Sequence, residues 1–272
     1  MRERLMRRLR EEDGMTLTEM LVAMVIMTIV CLVTFGLVEV VMKKTGDIAS
    51  RTDTTQRART AMDQITRQLR SQVCAYRSDK TTDGFDMNAA RSLESASPTQ
   101  LSVFVDFSDE SAKLAPELHT LTWAPDANQA GKAYPTGTIT EKVVKGTWTT
   151  DNKVTYTYGT ATLQAANTST RQLLTNVAPL YYLDGSAKTK PVIFRYYEYS
   201  STTSAFDAEL GTSGTALAPA DLVDVAKINI NFRTMPTNGG EKSGVWSDLT
   251  DDVFLRTTDP NAATPDPTCL TY

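Results

Sequence analysis

The sequence predicts an α+β protein: one long N-terminal α-helix, half membrane-apolar and half amphipathic, packed on an antiparallel β-sheet domain. Residues 20–38 carry no charged side chain. Apolar residues then recur at three- and four-residue steps as far as residue 76, and no proline interrupts the chain before Pro98. Past about residue 80 the texture turns to Thr, Ser, Ala and Gly with short β-type runs.

The first fourteen residues, MRERLMRRLREEDG, hold five arginines and four acids and end on Gly14. An ordinary secretory signal places its cut site after the apolar core. Here the polar leader comes first, so a cut after Gly14 removes the charges and leaves the apolar segment in place. The plainer reading is an N-terminal membrane anchor with Arg2, Arg4, Arg7, Arg8 and Arg10 kept in the cytoplasm. It leaves both Gly14 and Glu19 unexplained.

The uncharged run of residues 20–38 spans about 28 Å as a helix, close to the thickness of a bilayer core. Glu19 is the one acid at its head. A carboxylate there either sits at the interface or needs a cation partner. A cut after Gly14 creates such a cation, the new α-amine of Met15.

A short basic leader, a glycine, then an apolar helix with glutamate as its fifth residue resembles the processing signal of type IV pilins. The resemblance implies cleavage after Gly14 by a prepilin peptidase and methylation of the Met15 amine. It also implies that Glu19 pairs with the terminal amine of a neighbouring pilin or pseudopilin subunit during filament assembly. Met15 stands where pilins most often carry phenylalanine, and Gly36 stands where many carry a helix-bending proline. Weaker likenesses to W-type minor pilins and J-type pseudopilins lie in ARTAMDQITRQLRSQV (58–73), RQLLTNVAPL (171–180), FRYYEY (194–199) and VAKINI (225–230). The organisation so implied is a leader (1–14), a transmembrane and assembly helix (15–42), an amphipathic helix half (43–78) and an extracytoplasmic β-rich domain (79–272). The chain crosses the cytoplasmic membrane once, with its N-terminus cytoplasmic and its C-terminal domain outside, before joining a surface pilus or a pseudopilus.

The helix beyond the membrane is expected to reach about Tyr76. Its stripe is Ile48, Thr52, Thr55, Ala58, Met62, Ile65, Leu69, Val73 and Tyr76. Residues 43–78 carry a net charge of +5 and residues 79–272 a net of −8. The basic stretch suits a solvated face, lipid headgroups or the acidic face of a neighbouring subunit. Nucleic acid is a further partner class, but the acidic outer part argues against a general nucleic-acid surface there.

In the outer part, strands are expected at residues 101–107, 118–123, 138–144, 154–158, 193–197, 226–232 and 253–256. Residues 81–98 and 200–220 read as loops, and Asp184-Gly185 and Asn238-Gly239-Gly240 as turns. Cys31 lies in the membrane run and reads as a small apolar residue. Cys74 and Cys269 form a candidate disulfide, the alternatives being two free thiols or a bond to another chain.

Nothing in the sequence nominates an enzyme. The sole histidine, His119, alternates within a β-type run and is expected to be half-exposed. No Cys/His metal spacing and no glycine-rich phosphate loop is present. Asp106, Asp109, Ser111 and Glu117 lack the spacing of a calcium loop. The expectation is a structural subunit that needs no metal or cofactor. The alternatives are a pseudopilin of a secretion or DNA-uptake machine, and a membrane-anchored extracellular binding or enzymatic domain.

Overall fold

A single helix, α1 (Leu17–Arg70), forms from 54 residues without proline. The structure is a computed structural model that describes residues 16–75, 91–106, 116–127, 129, 135–148, 154–155, 167–183, 190–200, 202–203, 205–212, 214–236 and 246–255. The chain divides into two compact units, Met1–Ala49 and Ser50–Tyr272.

In the first unit the helix is apolar and exposed. Leu17, Phe35 and Met42 are 83%, 73% and 70% exposed. The Thr28 and Thr34 hydroxyls donate to the carbonyls of Met24 and Val30 at 2.8 and 3.0 Å. Such back-bonding lets a hydroxyl sit on an apolar cylinder without an outside partner. Among the described residues this is the one helix long and apolar enough to cross a membrane.

In the second unit the helix carries a buried stripe: Thr54, Ala58, Ala61, Met62, Ile65, Thr66, Gln68 and Leu69. The expected Ala58, Met62, Ile65 and Leu69 are all buried, whereas Ile48 and Thr52 are exposed. The stripe packs on the core of an antiparallel sheet, with Leu101, Leu121, Ile139, Ile228, Ile230 and Phe232 fully buried in the same cluster.

The strands are β1 (Leu93–Ser97), β2 (Gln100–Val105), β3 (Glu117–Pro125), β4 (Gly137–Lys145), β5 (Thr147–Trp148), β6 (Val154–Thr155), β7 (Thr168–Pro179), β8 (Tyr181–Tyr182), β9 (Pro191–Val192), β10 (Phe194–Ser200), β11 (Ala205–Leu210), β12 (Lys227–Thr234) and β13 (Ser247–Phe254). Nine of them form one sheet in the order β1-β2-β3-β4-β7-β12-β10-β11, with β13 also on β12. Two two-stranded pieces, β5-β6 and β8-β9, stand apart. The α+β class and the antiparallel pairing agree with the sequence. Gly137 is where β4 passes Trp123. A Cβ there would lie 2.3 Å from the Ala124 carbonyl oxygen and 2.8 Å from the indole ring.

Several expectations are corrected. The helix ends at Arg70 rather than near Tyr76. Beyond it the backbone turns into an extended segment: the Val73 amide donates to the Phe104 carbonyl at 2.9 Å, and Ala75 bridges Arg91. Sheet pairing outweighs the helical spacing of Val73. Two expected loops contain strands: β1 lies in 81–98 and β11 in 200–220. The long β7 is a strand that the expected set lacks. The expected turns at 184–185 and 238–240 lie outside the described residues. The disulfide expectation pairs one described cysteine, Cys74, with one outside the described residues. Of the two described cysteines, Cys31 is a free thiol in the first unit and Cys74 belongs to the second, and no disulfide joins them. Cys269, the other half of the expected Cys74–Cys269 bond, lies outside the described residues. Cys74 does not close a helix; it sits in the extended segment after one.

Candidate assembly site at the head of the apolar helix

Thr16 precedes the first helical residue, Leu17, and Glu19 is the third helical residue. This T-x-x-E spacing is that of a capping box. The geometry matches: the Glu19 amide donates to Thr16 Oγ1 at 3.3 Å, and the Thr16 amide donates to Glu19 Oε2 at 3.0 Å. The Thr16 hydroxyl adds a third bond to Oε2 at 2.9 Å. The first helical turn thereby satisfies two of its orphan N–H groups. An acid in the first turn also meets the positive end of the helix dipole.

All three bonds leave Glu19 Oε1 without a partner among the described residues. Glu19 can therefore hold its own helix end with one oxygen and offer the other to an ammonium group. In the sequence Glu19 stands out for its charge, while the Thr16-x-x-Glu19 spacing carries the signal of the cap. Gly14 and Met15, the expected cleavage and methylation residues, lie outside the described residues.

Below this head every large apolar side chain from Leu17 to Met42 is exposed. A cylinder with no charge from 20 to 38 needs a non-aqueous environment or protein neighbours to cover it. Glu39 and Lys43 close the run with an ion pair at 2.6 Å, the first charges after Glu19.

The second unit holds a buried polar cluster that the sequence did not reveal. His119 is 3% exposed and not half-exposed as expected. Its Nδ1 lies 2.7 Å from Glu141 Oε1 and its Nε2 lies 3.3 Å from Glu117 Oε2. Glu141 is fully buried and also accepts from Arg171 and from Gln68 of α1. Burial would push the Glu141 carboxyl up, but bonds from His119 and Arg171 outweigh it and hold the group at about 2. The cluster ties helix, β3, β4 and β7 together. No group of three metal-ligating side chains is found among the described residues. Its polar residues alternate with apolar ones in strands that also read as half-solvated, so pattern could not place them inside.

Comparison with known proteins finds no matching family model, no matching curated protein and no matching solved structure. The architecture, a long apolar N-terminal helix with its distal part packed on an antiparallel sheet, is compatible with a membrane-anchored structural subunit.

Proposed function

We propose that the chain is a type IV pilin-like subunit, a minor pilin of the W-type or a pseudopilin of the J-type. A prepilin peptidase cuts it after Gly14, the Met15 amine is methylated, and the apolar helix carries it from the cytoplasmic membrane into a pilus or pseudopilus beside other subunits. The N-terminus is cytoplasmic and the β-rich part extracytoplasmic. The work is mechanical, with no catalysis and no cofactor. One observation carries the reading: an apolar helix whose large side chains are all exposed, headed by a carboxylate with one oxygen left over. Lipid covers such a cylinder before assembly and neighbouring helices cover it afterwards. A plain membrane anchor accounts for the apolar surface but gives the spare Glu19 oxygen no partner.

The test is the mass of the mature N-terminus in a host carrying the processing enzyme. A methylated chain beginning at Met15 is expected, and Gly14→Val, β-branched at the cut, is expected to leave a full-length membrane precursor. Unaltered processing of that variant would sink the reading.

A further inference from the structure

The sheet of the second unit has an open edge in its middle. Strand β7 pairs with β4 along residues 168–177, but meets β12 only through Val177–Pro179. The Met235 amide donates to the Asn176 carbonyl at 3.1 Å, and there β12 leaves β7. From Thr168 to Thr175 the edge of β7 away from β4 has no partner among the described residues.

The register shows which groups point outward. The Lys145 amide donates to the Asn167 carbonyl at 3.0 Å, so 145/167 is a hydrogen-bonded pair. Antiparallel pairs alternate. Thr168, Thr170 and Gln172 therefore direct their N–H and C=O groups to the open side. Ser169, Thr170, Arg171 and Gln172 are exposed. From Thr168 to Gln172 the edge has no proline, bulge or acid and is a ready template for another strand; the register shifts only beyond Gln172.

A cavity of about 210 Å³ lies where the open edge ends. Thr54 and Arg57 of α1, Leu173, Thr175 and Asn176 of β7, and Met235 line it. Asn176 adopts φ 56°, a left-handed conformation that turns the strand there. Main-chain groups along an edge, with a side-chain pocket beside them, are the two parts of strand-addition recognition.

Charge points to the occupant. Residues 168–175 carry a net +1 from Arg171, and Arg57 lines the cavity. Strand β13 borders only β12 and carries Asp248, Asp251 and Asp252, a net −3 over eight residues. Those acids bar β13 from pairing with another β13. Arg233 holds Asp248 through both oxygens and Asp251 accepts from Thr66, so Asp252 is the acid left to meet a cationic edge. Arg171 spends Nε on Glu141 and is 58% exposed; Asp252 spends Oδ1 on Asn229. Both keep capacity for a new bond. Strand β11 is a poorer candidate: it has six residues and its register breaks beside Ser200.

We propose that the open edge of β7 takes β13 of a second copy of this chain as an added strand. The contact is heterologous, β7 of one copy to β13 of the next, and such contacts propagate instead of closing. It deepens the filament-subunit reading and rests on it for its setting.

The test uses the purified full-length chain in detergent micelles, with a benzophenone amino acid at position 172. Irradiation is expected to yield a covalent dimer whose label maps to the tryptic peptide from Ser243 to Arg256. Thr170→Pro removes an outward N–H while leaving the β4 ladder, and should cut the dimer about tenfold, the weight of one or two main-chain hydrogen bonds. Should that variant fold poorly by circular dichroism, Asp252→Lys, exposed on β13, should lower the dimer yield on its own. A label in any other segment, a monomer at every concentration, or a dimer indifferent to both variants overturns the proposal. Processing at Gly14 plays no part in this readout, so its failure leaves the filament reading to its own test.

Discussion

The two stretches of α1 face opposite demands. From Leu17 to Met42 its large apolar side chains are exposed, and the Thr28 and Thr34 hydroxyls bond back to their own helix. From Thr54 to Leu69 apolar side chains recur on one face only and are buried there, with charges such as Arg59, Asp63 and Arg67 on the other. The first stretch gains nothing from water and little from its own unit. The second is held by tertiary packing, the usual source of helix stability in proteins. Substitutions in the two stretches should therefore register in different measurements.

The largest effect on stability is expected at Glu141. Glu141→Ala leaves His119 and Arg171 without their buried acceptor and should cost about 3–5 kcal/mol in chemical denaturation of the full chain. The same group sets an acid limit. Its folded-state value of about 2 lies below the ordinary 4.5, so its contribution is complete above pH 4.5 and is lost as pH falls towards 2. Glu141→Gln should flatten that part of the stability-pH curve; an unchanged slope assigns acid sensitivity to other groups.

Leu69→Ala tests the packed stretch directly. It removes a fully buried side chain and should cost about 2–5 kcal/mol. Leu37→Ala, on the exposed stretch, should leave the melting of the second unit unchanged in detergent. If the two variants melt alike, the contrast between the stretches fails.

Gly137→Ala is expected to cost about 1–3 kcal/mol by overpacking against Trp123 and the Ala124 carbonyl. Thermal denaturation in parallel with Gly46→Ala, which meets open space, isolates the steric part.

The smallest change in stability, and the most informative one for function, is Glu19→Gln. Glutamine can still serve in a capping box, so the helix end should hold to within about 0.5 kcal/mol. Charge pairing is lost. Filament incorporation should fall with Glu19→Gln as with Glu19→Ala if an ammonium is the partner. Normal incorporation of the glutamine form beside a defective alanine form would reduce Glu19 to a cap.

Much of this could be read residue by residue. Ala58, Met62, Ile65 and Leu69 declared their face by spacing, and β2, β3, β4, β10 and β12 lie where alternating runs predicted strands. Strand β7 was missed because Thr168–Gln172 is polar on both sides, a pattern that alternation cannot detect. Val73 continued the helical spacing, yet a partner carbonyl on Phe104 drew it into an extended segment. His119 looked half-solvated because nothing local announces that Glu141, twenty-two residues away, will lie beside it.

The apolar helix, its charged boundaries at Glu19 and Glu39, the cap formed by Thr16 and the α+β class are all written into the linear chain. These depend on composition and on neighbours three or four residues apart, which a linear chain specifies directly. Tertiary packing alone fixes where α1 stops, which strand edge stays open, and that buried His119 and Glu141 meet Glu117 and the more exposed Arg171. Those outcomes depend on residues far apart in the chain competing for the same hydrogen bonds and the same volume. That competition is settled only when the sheet is assembled.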